Sequence, residues 1–185
     1  MNMTDSTASR IRPASQRRPF RYRTQAILIA AFAGYAVLSW MILKSSGNPP
    51  IRFRIDISHL VDASFMVKLH LAGALTAFVI GAILLRGVKG TGLHRKLGYS
   101  WVAAMTLAAV SSFFLVGLNG NHYSLIHGLS AWTIVVLPMA VVAARRKNIR
   151  KHAKGMTNLF LGGLLVAGLF AFLPGRMLWS IFFAV

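Results

Sequence analysis

Apolar residues in this chain come in long, nearly unbroken runs rather than at the spacing of a soluble amphipathic core. A helix needs about 20 mostly apolar residues to cross bilayer hydrocarbon. Five segments meet that requirement: Gln25–Leu43, Met66–Leu85, Leu97–Leu118, Leu125–Ala144 and Met156–Leu173. The pattern predicts an all-α, polytopic membrane bundle of five transmembrane helices. Pro174-Gly175 breaks the last run, and the remaining RMLWSIFFAV is too short to span. That tail is expected at the membrane interface, or as an extension of the fifth helix bent at the proline. Three parts follow: a basic arm over 1–24, disordered or laid on the membrane surface; the bundle over 25–175; and a short interfacial tail over 176–185. A loop over 44–65 carries turn signals at Gly47, Asn48 and Pro49-Pro50.

Charge orients the bundle. The 21 Lys and Arg face only three acids, Asp5, Asp56 and Asp62. So basic a chain suggests nucleic acid at first, but in a membrane protein the placement of charge matters more than its sum. All but Lys44, Arg52, Arg54, Lys68 and Arg176 fall in the N-terminal arm, the second-to-third connection or the fourth-to-fifth connection. Basic residues stay in the cytoplasm, which puts the N-terminus inside and the fifth helix's end outside. The expected setting is a bacterial inner (cytoplasmic) membrane, with anionic lipids at the cytoplasmic face as partners and no nucleic acid. The arm resembles a signal n-region, but the apolar run after it is too long for an h-region and no small-x-small cleavage site follows.

Composition narrows the chemistry. With no cysteine there is no disulfide, thiolate site or cysteine nucleophile. No predicted span contains Asp or Glu, which argues against a proton-coupled pump or transporter. Nucleotide loops, metallohydrolase motifs and serine-histidine-acid sets are likewise missing.

Histidine remains. His70 lies near the outer end of the second predicted helix and His127 near the outer end of the fourth; His94 and His152 stand just before the third and fifth, at the inner end. His59 and His122 belong to outer loops. Two facing pairs therefore emerge, His70 with His127 and His94 with His152. Paired neutral imidazoles on facing helices suit the iron of one or two b-type haems. His70, Gly73, Ala77 and Gly81 share one helix face, where small residues either leave a groove for a flat ring or let another helix approach closely. A hydrogen bond to a neighbouring carbonyl is the plainer role for a membrane histidine, and headgroup contact the plainer one for His94 and His152. Thr91 or Gly92 can cap the third helix, leaving His94 in its first turn. Pro138 is expected to kink the fourth helix. Tyr99, Trp101, Tyr123, Trp132 and Trp179 suit an aromatic belt, and Asn119 and Asn121 a turn.

Two resemblances bear on these residues. His70 with Gly73 and Gly81, His94-Arg95 with Gly98, and His152 with Met156 resemble the motifs of a bacterial family of predicted membrane proteins with no assigned function. That family also tends to carry a tryptophan where Trp132 stands; the chain departs from it at Thr157-Asn158 and in having His127. More distantly, the order of His70, His94, His127 and His152 is similar to that of the ascorbate-reducible di-haem b-type cytochromes, though the spacings are shorter and a sixth helix is lacking. This second resemblance implies electron transfer between a quinol or ascorbate-like donor and an acceptor, hence a haem-dependent transmembrane oxidoreductase. An acidic redox partner would suit the cationic inner face. The competing expectation is a non-enzymatic accessory subunit that scaffolds a respiratory or photosynthetic complex and binds anionic lipid.

Overall fold

The protein is described here by a computed structural model covering residues 18–115 and 125–184. Residues 1–17 of the expected arm lie outside that range, as does the connection carrying Asn119, Asn121, His122 and Tyr123. In chain order the elements are α1 (Arg18–Ser45), β1 (Arg52–Phe53), α2 (Ser58–Val61), α3 (Phe65–Arg86), α4 (Gly92–Ser112), α5 (Leu125–Arg145) and α6 (Ile149–Asn158). From α6 the chain runs on through a π-helical stretch (Leu159–Val166) into α7 (Ala167–Ala171), then α8 (Met177–Phe182) and β2 (Phe183–Ala184).

Helix starts follow from local chemistry. The side chains of Ser64, Thr91 and Asn148 accept from the amides of Val67, His94 and Lys151, capping α3, α4 and α6. Thr91 is thus the cap of α4. Thr91→Ala is expected to destabilise the bundle by about 1 kcal/mol, read as an earlier unfolding midpoint when dodecyl sulfate is titrated into mixed micelles. Between α5 and α6 the chain turns in three residues, with Lys147 at φ +58°.

Among the described residues, four helical stretches are long and apolar enough to cross a membrane: Gln25–Ser45, Phe65–Arg86, Ile126–Arg145 and Ile149–Ala171. The α4 helix is not among them, although it was expected to span. Its first turns carry His94, Arg95 and Lys96, and Ser100, Thr106, Ser111 and Ser112 follow. Those hydroxyls donate to carbonyls of their own helix, as Thr106 does to Val102 (2.9 Å) and Ser111 to Leu107 (2.7 Å). Seven α4 residues are buried, because α3 packs on one side of the helix and α5 on the other. A helix shielded by its neighbours can carry polar groups that a lipid-facing helix would leave in hydrocarbon.

The π-stretch packs against both α3 and α5 and closes the bundle opposite α4. Helices α3 and α5 thereby stand at opposite corners, as do α4 and the α6–π–α7 run. The core between them is built from Ala77, Trp101, Met105, Leu137, Leu159 and Phe160, among others. Outside the bundle, α1 touches α7, where the Tyr35 hydroxyl donates to the Phe172 carbonyl (3.1 Å).

The tail does something the sequence did not suggest. Gly175, at φ +81°, supplies the left-handed turn after Pro174. After α8, β2 returns to pair antiparallel with β1, Arg52 opposite Ala184 and Phe53 opposite Phe183. The ladder extends from Arg54 N–H to the Phe182 carbonyl (3.0 Å) and from Asp56 N–H to the Ile181 carbonyl (2.8 Å). The loop after α1 and the tail after α7 are thus sealed together at one end of the bundle. The Ser58 hydroxyl and amide both donate to Asp56 (2.6 and 3.0 Å), and with Arg54 nearby they hold its carboxyl below the usual range.

Candidate functional site

The four candidate histidines fall at two levels of the bundle. His70 is in the second turn of α3, and its Nδ1 lies 2.8 Å from the Ala108 carbonyl of α4. A carbonyl only accepts, so Nδ1 carries the proton and a neutral His70 keeps the lone pair on Nε2. The approach depends on Gly73: a Cβ there would sit 3.1 Å from the Ala108 nitrogen and 3.2 Å from the Ala104 oxygen.

The same device recurs at the other end. His152 Nδ1 lies 3.0 Å from the Ala140 carbonyl of α5, and a Cβ on Gly155 would come within 2.8 Å of the Ala140 Cβ. Both contacts are His-x-x-Gly steps, H-L-A-G at 70–73 and H-A-K-G at 152–155. In each, the glycine brings two backbones together so that the imidazole one turn away can reach an alanine carbonyl on the neighbouring helix. A helix starting at Met156, as the apolar run predicts, leaves His152 outside it and hides the pattern. In fact α6 begins at Ile149 and holds His152 as its fourth residue.

At the inner end His94, in the first turn of α4, is within electrostatic reach of His152 and of Lys89, without a direct contact to either. Its Nδ1 is buried and has no hydrogen-bond partner among the described residues. The outer pair is tied to α4 instead. His70 reaches Ala108, and His127, buried on α5, sits 6.1 Å from the Phe113 ring between centroids. Beyond His127, Ser130 meets Ser112 across the α4–α5 contact.

The small-residue stripe resolves toward packing. Gly73, Ala77 and Gly81 are the buried residues of α3. The groove expected below His70 is filled by α4 at Gly73 and by the Trp101 and Phe160 side chains at Gly81. Gly73 and Ala77 therefore seat a helix, since two backbones in contact leave no slot for a flat ring between them. Trp101 is also displaced from the expected belt: it is 3% exposed, with an Nε1 that has no partner among the described residues. Trp179 is buried too, against Phe183, whereas Tyr99 is exposed as a belt residue would be. Pro138 sits inside α5, which runs through it as one helix.

Among the described residues no group of three or more His, Asp or Glu could hold a bare metal ion. A haem asks for less, two axial imidazoles. The donor set at the inner end fits that requirement: His152 has its proton fixed on Nδ1, and His94 is a half-buried imidazole whose Nδ1 has no hydrogen-bond partner among the described residues.

These features define a polytopic α-helical membrane protein with histidines at two levels of its bundle. Residues 67–183 match the family model described as predicted membrane protein (DUF2306), and the chain belongs to that family. No curated protein and no solved structure matches it.

Proposed function

We propose that this protein is a membrane electron-transfer protein that holds b-type haem between its helices, with His94 and His152 as the ligands of an inner site and His70 and His127 as those of an outer one. The observation that carries the reading is the repeated clasp. Each proposed pair contains one histidine, His152 or His70, whose Nδ1 proton is given to a helix carbonyl. That arrangement fixes the tautomer and orients Nε2 as a donor, which is how histidine ligands are usually prepared. The inner site leads because His94 offers a buried Nδ1 that has no hydrogen-bond partner among the described residues.

In this reading α4 is a fifth spanning helix sheltered by the others, the N-terminus is cytoplasmic and the membrane is a bacterial inner one. A bound haem would supply a one-electron couple, with its potential set by the axial ligands and by burial. The chain's residues do the remainder: His152 and His94 supply imidazole nitrogens, the Ala140 carbonyl holds one ring in place, and the apolar core around Trp101 and Phe160 keeps water out. Lys89, Arg95, Arg150 and Lys151 would draw an anionic donor or an acidic partner protein to the inner face.

A second reading is favoured by the same cationic surface. Ile149, Arg150, Lys151 and Lys154 are exposed on α6 while His152, Gly155 and Met156 are drawn inward. An accessory subunit held to anionic lipid through that face would use the clasps only to pin its helices.

An absorption spectrum of the detergent-purified protein, oxidised and then reduced with dithionite, separates the two. Sharp reduced bands of a six-coordinate b haem are expected, with haem per chain giving one site or two. A flat spectrum after expression with ample haem would end the first reading and leave the second. The second in turn requires binding to anionic vesicles that is lost at high salt.

A further inference from the structure

The ribbon between α1 and α2 leaves a row of large apolar side chains uncovered. In IRFRIDI, residues 51–57, apolar residues alternate with arginine and aspartate. The alternation is meaningful over residues 52–56, which are hydrogen-bonded to the tail and so held with their faces in fixed directions; Ile57, at φ −86° and ψ −2°, already turns into α2. Phe53 is 71% exposed, Ile55 65% and Ile57 59%, comparable with Ile29, at 70%, on the candidate span α1. On a water-facing loop such a patch would be unusual.

Position says what covers it. The ribbon starts within a few residues of the end of α1, and α3, itself a candidate span, begins at Phe65. Its strand partner belongs to the tail that leaves the run ending at Ala171, after the short helix α8. The ribbon, with the short helices α2 and α8 beside it, thus lies where three candidate spans end, and its apolar face can continue the surface those spans give to lipid. Arg52 and Arg54 alternate with that face and match the phosphates of a headgroup layer.

We propose that residues 51–56 form an interfacial ribbon, with Phe53 and Ile55 set into the acyl boundary of the bilayer and Arg52 and Arg54 on lipid phosphates. It anchors the end of the bundle where the chain's tail is sealed, and it does not depend on haem.

The absence of cysteine makes a direct test possible. Single variants R52C, F53C, R54C and I55C of the full chain would carry a nitroxide label in phosphatidylcholine–phosphatidylglycerol vesicles. Power saturation then compares collision with dissolved oxygen and with an aqueous nickel chelate. Labels at 53 and 55 should favour oxygen several-fold and labels at 52 and 54 should favour nickel, giving a period of two. I55C backs up F53C, which loses the edge contact with Phe183. Nickel access at all four positions would overturn the proposal in favour of a water-exposed loop. Shielding of 53 and 55 from both reagents, with spin–spin broadening between chains, would overturn it in favour of a second copy.

Discussion

A Gly73→Val chain is expected to lose on the order of 3 kcal/mol of stability, through overpacking and a broken buried hydrogen bond. The glycine's missing Cβ would stand 3.1 Å from one backbone atom of α4 and 3.2 Å from another. Backbone cannot rotate aside as a side chain can, so valine must push α3 and α4 apart. The His70 bond to Ala108, now 2.8 Å, would open with them and leave an imidazole and a carbonyl unsatisfied at membrane depth. Gly34→Val is the control: nothing lies within 4 Å of a Cβ on Gly34. Dodecyl sulfate unfolding of both variants, followed by tryptophan fluorescence, checks the pair. A Gly73→Val protein as stable as the Gly34→Val protein would mean that α3 and α4 do not meet at this stripe.

The second large effect separates ligand from clasp. His152→Gln should keep much of the helix contact, because a glutamine amide can still donate to the Ala140 carbonyl, yet it supplies no imidazole to iron. The expected result is a folded protein lacking the inner haem, about half the colour of a two-site protein. His152→Ala should lose the same haem and, in addition, on the order of 1 kcal/mol for the hydrogen bond. Haem per chain by pyridine haemochrome and unfolding in mixed micelles are measured on both. Full haem retention in His152→Gln would remove His152 from the ligand set, while equal stability of the two variants would remove the clasp.

How much of this was legible beforehand varies residue by residue. Each of the four candidate spans overlaps an apolar run read from the sequence, because bilayer thickness acts on a local sum of side chains. The start of the last helix was missed by seven residues, since RKHAK reads as a solvated connection until its far side is seen against α5. The cap at Thr91, read as Thr91 or Gly92, and the break at Pro174-Gly175 were readable because a cap and a helix end are made by residues close together in the chain. Trp101 and Trp179 were misplaced into a belt because amphipathic aromatics look the same in sequence whether they sit at an interface or in a core.

The histidines mark the boundary most clearly. The sequence alone determined that they lie near the ends of apolar helices at two levels of a membrane bundle, because helix rise and hydropathy are local properties. Only the tertiary structure decided what each one touches. The Nδ1 partner of His70 is 38 residues away and that of His152 is 12 away, both backbone carbonyls on other helices. Every residue has such a carbonyl, so no residue type announces it. Which one is within reach depends on how closely two helices approach, and here that closeness is set by a glycine one turn from the ring.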